Sequence, residues 1–92
     1  MFIKKVRKRN GRTRKIYQYL QLVESVRTDE GPRQRLVLNL GNLDLEPAQY
    51  PAFARRIEDI LTGQRSLVEL EQRLERSARE AARKIFTEVH HP

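Results

Sequence analysis

Arginine and lysine dominate the side chains of this 92-residue chain that could do chemistry. Residues 1–35 carry eleven basic side chains against three acidic ones, Glu24, Asp29 and Glu30, a local net of +8. Residues 36–92 carry eight basic and nine acidic side chains, a local net of −1. The formal charge of +7 therefore sits in the first third. Such asymmetry predicts a polyanion-binding face on a near-neutral scaffold. Lys5, Arg7, Arg9, Arg12, Arg14 and Lys15 cluster around Asn10-Gly11, and Arg33 and Arg35 follow in a later run. Tyr17, Tyr19, Gln21 and Asn39 interleave with them. Arginine suits guanine edges, Asn and Gln suit adenine, and any cation suits a phosphate. These twelve residues are the expected contacts to duplex DNA. The same face would also serve RNA, with the tyrosines stacking on single-stranded bases. The plain alternative is a solvated sheet surface, where polar outer residues are normal.

Other chemistries find no support in the residue pattern. There is no cysteine, which excludes a disulfide framework and a thiolate zinc site. His90-His91 is expected to be a disordered polar tail rather than a metal site. Ser25, Ser66 and Ser77 lack a histidine partner in any strand-turn-helix elbow. No glycine-rich loop cradles a phosphate. The expectation is a non-enzyme without metal or cofactor. No apolar run approaches the 18 residues of a membrane span. The start, Met-Phe-Ile-Lys-Lys-Val-Arg, lacks the apolar stretch of a secretory signal, so a cytoplasmic, nucleoid-associated location is expected.

The elements that position the basic residues follow from periodicity. Residues 2–9 look like a basic edge strand, and Asn10-Gly11 is a turn dipeptide that tolerates positive φ. Residues 15–27 are a long β-rich run, Asp29-Glu30-Gly31-Pro32 is a turn, and 33–40 form a third strand closed by Gly41. Alternation places Ile16, Leu20, Leu22 and Val26 on one face with Leu36, Leu38 and Leu40. It places Tyr17, Tyr19, Gln21, Val23 and Ser25 on the other with Arg33, Arg35, Val37 and Asn39. In the first strand Phe2 and Val6 are assigned inward, and Ile3, Lys5 and Arg7 outward.

The remainder reads as helix. Asp44 is a candidate N-cap with Pro47 in the first turn, unless Pro51 marks the true start after an irregular 45–50. Tyr50, Phe53, Ile57, Ile60 and Leu61 make one apolar stripe that Gly63 ends. Ser66-Leu67-Val68-Glu69 matches a capping box before a helix over 67–88 with a Leu67, Leu70, Leu74, Ala78, Ala81, Ile85 seam. The expected fold is α+β: a three-stranded antiparallel meander followed by two helices, the first packed on the sheet. The expected division is a basic sheet-plus-helix nucleic-acid-binding domain over 1–63 and a C-terminal helix with a short tail over 64–92. The second helix either completes the sheet's cover or pairs two copies into a homodimer, as an interaction protein would.

The series Tyr-Gln-Tyr-Leu-Gln-Leu-Val-Glu-Ser-Val-Arg (17–27), a Gly-Pro turn and Arg-Gln-Arg-Leu-Val-Leu-Asn-Leu-Gly-Asn-Leu (33–43) resembles the N-terminal segment of bacterial insertion-sequence transposases of the DDE class. The resemblance covers roughly residues 1–65. It implies a domain that binds transposon ends. It does not transfer catalysis, because the three metal-holding carboxylates of that class belong to a downstream domain with no counterpart here. Arg33, Gln34, Arg35, Asn39 and Gly41 match the phrase by position.

Overall fold

The computed structural model describes residues 1–66 and 68–89. Three strands, β1 (Phe2–Arg9), β2 (Ile16–Thr28) and β3 (Gly31–Gly41), form one antiparallel sheet in the order β1-β2-β3. A 3-10 turn at Pro47–Gln49 leads into α1 (Tyr50–Thr62), and α2 (Gln72–Val89) follows. This is the expected meander plus two helices.

One face of the sheet is covered. α1 packs against β1, and α2 against α1 and β3. The core joins Ile3, Leu20 and Leu22 of the sheet to Phe53, Ala54 and Ile57 of α1 and to Leu74, Ala78, Ala81, Ala82 and Ile85 of α2. The small residues of α2 let it lie close to its neighbours, while Phe53, Leu22, Ile57 and Leu74 supply the volume. A three-stranded sheet is marginal without such a cover. Each fully buried large aliphatic or aromatic side chain contributes about 1.5–3 kcal/mol of transfer free energy. The seam that could pair two copies through the second helix (Leu74, Ala78, Ala81, Ile85) is thus buried within this fold; its predicted first member, Leu67, lies outside the described residues, as does the His90-His91 tail.

Helix boundaries differ from the predicted ones in two places. Asp44 caps nothing. Glu46 precedes the 3-10 turn, with its backbone N–H donating to Gln49 Oε1 at 3.0 Å, and α1 begins at Tyr50 beside Pro51. Gly63 ends α1 as expected, at φ 70. The Ser66 hydroxyl accepts from Val68 N–H at 3.1 Å, a turn two residues long rather than a capping box. That turn delays helix entry, so α2 starts at Gln72, with Glu75 N–H donating to the Glu71 carbonyl at 2.8 Å.

The strand faces need larger correction. Cross-strand partners share a face in an antiparallel ladder. β1 pairs Ile3 with Leu22 and Lys5 with Leu20, so Ile3, Lys5 and Arg7 lie on the helix-covered side and Phe2 and Val6 on the open side. This reverses the predicted assignment of β1. In β3 the pairing with β2 shifts between Leu20 and Gln21 and again between Leu22 and Val23. These bulges insert one extra residue each and re-aim the side chains beyond them. Val37, Leu38 and Leu40 all pack against the core, whereas Leu36, assigned to the core, faces Val23 on the open side and is 53% exposed. Arg35 pairs with Glu24, and Arg33 with Val26, on the side of Leu20 and Leu22.

Candidate nucleic-acid interface

β3 ends opposite Leu20, at Gly41, but the β1–β2 ladder runs on through Val6↔Tyr19, Arg7↔Gln18, Lys8↔Tyr17 and Arg9↔Ile16. These four rungs form a two-stranded ribbon about 13 Å long at 3.3–3.4 Å per residue. Every residue from Arg7 to Gln18 except Asn10 is exposed.

The ribbon tip is built by Asn10. Asn10 N–H donates to the Lys15 carbonyl at 3.0 Å and closes the loop. Arg14 N–H donates to the Asn10 carbonyl at 2.9 Å, and Arg12 N–H donates to Asn10 Oδ1 at 3.0 Å. The positive φ that the Asn-Gly dipeptide leads one to expect falls instead on Arg14, at φ 56. The tip thus displays Arg12, Arg14 and Lys15 on a fixed backbone.

Electrostatics divide the twelve predicted residues. The chain has no carboxylate before Glu24. Among the described residues, no ion pair engages Lys4, Lys5, Arg7, Lys8, Arg9, Arg12, Arg14 or Lys15. Arg33 and Arg35 differ: Arg33 is paired with Glu30 and Arg35 with Glu24. Their charge is offset on their own sheet.

The predicted single face is therefore split. Arg7, Arg9 and Gln18 occupy one side of the ribbon, with Ile16, which is 62% exposed. Tyr17 and Tyr19 occupy the other, with Lys8 and Val6. Gln21 and Asn39 are opposite one another on the open side of the sheet proper. Asn39 Oδ1 accepts from Gly41 N–H at 2.9 Å and is committed to the turn after β3. Lys5 and Gln18 line a cleft of about 340 Å³ with Asn42, Asp44 and Tyr50 at the ribbon's base. Lys4, which the expected alternation of β1 turns inward, lies on the open side with Lys8 and the tyrosines.

The strongest titration shift lies away from the ribbon, between the helices. Glu75 is held down to about 2 by its hydrogen bonds from Arg56 and Arg79, against a smaller opposing effect of burial. Among the described residues, no three His, Asp or Glu side chains converge as a metal site. No helix among them is long and apolar enough to cross a membrane.

A covered antiparallel sheet that extends a cationic ribbon defines a small α+β module. The chain matches the family model "IS1634 family transposase, N-terminal domain" over residues 3–86 and belongs to that family. The match includes most of α2, beyond the stretch on which the resemblance to insertion-sequence transposases rests. No curated protein and no solved structure matches the chain.

Proposed function

We propose that this domain is a non-catalytic DNA-binding module that holds duplex DNA, such as a transposon end, through the β1–β2 ribbon. One observation carries this reading: six exposed cations, Arg7, Lys8, Arg9, Arg12, Arg14 and Lys15, have no carboxylate partner among the described residues and stand on a two-stranded ribbon and its tip. Paired strands lie about 4.8 Å apart. The major groove is about 12 Å wide and admits such a ribbon. Arg7, Arg9 and Gln18 would meet base edges from one side of it, and the tip would meet phosphates. Lys5 sits at the base, within reach of the flanking backbone. Membership of a transposase family makes DNA, rather than RNA, the favoured polymer.

Fluorescence anisotropy on a random duplex at 50 and 200 mM salt tests this. Release of counterions from six or more phosphates should lower affinity by about three orders of magnitude over that range. Replacing Arg12, Arg14 and Lys15 together by alanine should reduce the salt slope by about three. Replacing Arg33 and Arg35 should change affinity by less than about threefold, because each is already paired. Salt-independent binding, or a larger loss from Arg33 and Arg35 than from the tip, would overturn the ribbon as the interface.

A further inference from the structure

The helices cover one side of the sheet, and the opposite side is open. We propose that this open side is a platform on which single-stranded DNA stacks, on the side of the ribbon opposite Arg7, Arg9 and Gln18.

The platform is aromatic and apolar along its middle. Tyr17 is 49% exposed and Tyr19 is half-buried, and both face the open side two residues apart on β2. Two residues of strand span about 6.7 Å, so the rings offer successive stacking positions along one line. Further along, Phe2, Val23 and Leu36 form a row across all three strands. Val23 is 4% exposed although it stands outside the helix-side core, and Phe2 and Leu36 beside it remain exposed. An apolar row of this kind on an uncovered sheet marks a binding surface rather than a solvated one.

Charge selects the occupant. Lys4, Lys8 and Arg27 lie on the same side, and the register places no carboxylate there. Among the described residues none of the three has an ion-pair partner. A second copy of the chain would bring these cations against their own equivalents. A polyanion with apolar faces meets both halves of the surface: bases stack on the rings, and phosphates reach the flanking cations. Lys8 and Tyr17 lie on the ribbon itself, so a strand splayed from a duplex on the ribbon runs directly onto the platform. The choice of DNA over RNA rests on the duplex reading above; the platform does not.

The chain lacks tryptophan and has three tyrosines, so tyrosine emission reports stacking directly. The full chain is titrated with a 20-nucleotide thymidine oligomer, the matching uridine oligomer and a random duplex. Quenching of tyrosine emission by the thymidine oligomer is expected. Tyr17→Leu/Tyr19→Leu should weaken its binding about 10- to 100-fold, a loss at least about tenfold greater than the loss on the duplex. Tyr17→Phe/Tyr19→Phe, which keeps the rings, should stay within about twofold on both. Unchanged oligomer affinity in the leucine variant would overturn the platform. So would an equal loss on oligomer and duplex, or a phenylalanine variant as weak as the leucine one. A uridine oligomer bound tenfold tighter would overturn the DNA assignment. A concentration-dependent dimer in light scattering, lost on Leu36→Lys, would assign the face to a second copy instead. Duplex binding unchanged in the tip variant, with quenching by the oligomer retained, would sink the duplex reading and leave the platform standing.

Discussion

Arg56 of α1 grips Glu75 of α2 through two parallel hydrogen bonds, Nε to Oε1 at 2.7 Å and Nη2 to Oε2 at 2.8 Å. Arg79, one turn on from Glu75, donates from Nε to Oε2 at 2.7 Å. The forked geometry of a guanidinium matches a carboxylate in this way, and both partners of the bidentate pair are mostly shielded from water. The pair ties together the two helices that cover the sheet.

It makes stability depend on acid. The Glu75 carboxyl is held down to about 2 from an ordinary 4.5. A depressed carboxyl contributes stability that is fully present above the unfolded value and is lost as pH falls from about 4.5 towards 2. With allowance for partial exposure, the contribution at pH 7 is on the order of 2 kcal/mol. Unfolding free energies from urea titration of the parent and Glu75→Gln should therefore differ by about that amount at pH 7 and converge near pH 2. A difference that stays constant across that window would show that the pair does not act through its charge.

Burial makes α2 structural. Leu74 is 1% exposed, and Ala78, Ala81, Ala82 and Ile85 share its core. Leu74→Ala should cost about 2–5 kcal/mol, and a domain of this size has about 5–15 kcal/mol to lose. A chain ending at Gly63 forfeits the whole set and should show no cooperative unfolding transition by circular dichroism. A sharp transition in that shortened chain would instead establish residues 1–63 as a unit that folds alone.

The parts legible in sequence were those with a clean period. β2 alternates well enough to set Leu20 and Leu22 inward, and α1 repeats Phe53 and Ile57 at helical spacing. β1 has no such alternation: Phe2 and Ile3 are adjacent, and only the ladder closing at Arg9↔Ile16 decides that odd positions of β1 share a side with even positions of β2. In β3 the run Leu36-Val37-Leu38 is too apolar for a strictly alternating strand with one buried face. The bulges resolve it by sending Val37, Leu38 and Leu40 inward and Leu36 out. That resolution turns Arg33 and Arg35 away from the tyrosines and towards Glu30 and Glu24. The cationic character of the candidate interface is thus readable from composition. Its division into a ribbon and an open sheet face is not, because it depends on register.

Arg14 combines strain with charge at the ribbon tip. Its φ of 56 lies in the left-handed region, where a side chain costs about 1–2 kcal/mol and glycine costs little. Arg14→Gly should therefore raise stability by about 0.5–1 kcal/mol, while Arg14→Ala, which keeps the Cβ, should not. Both remove one cation, so both should lower duplex affinity several-fold and reduce the salt slope by about one. Thermal unfolding paired with anisotropy separates the two effects. If glycine and alanine give the same stability, the tip backbone is not strained; if the arginine can be removed without loss of affinity, the tip does not touch the duplex.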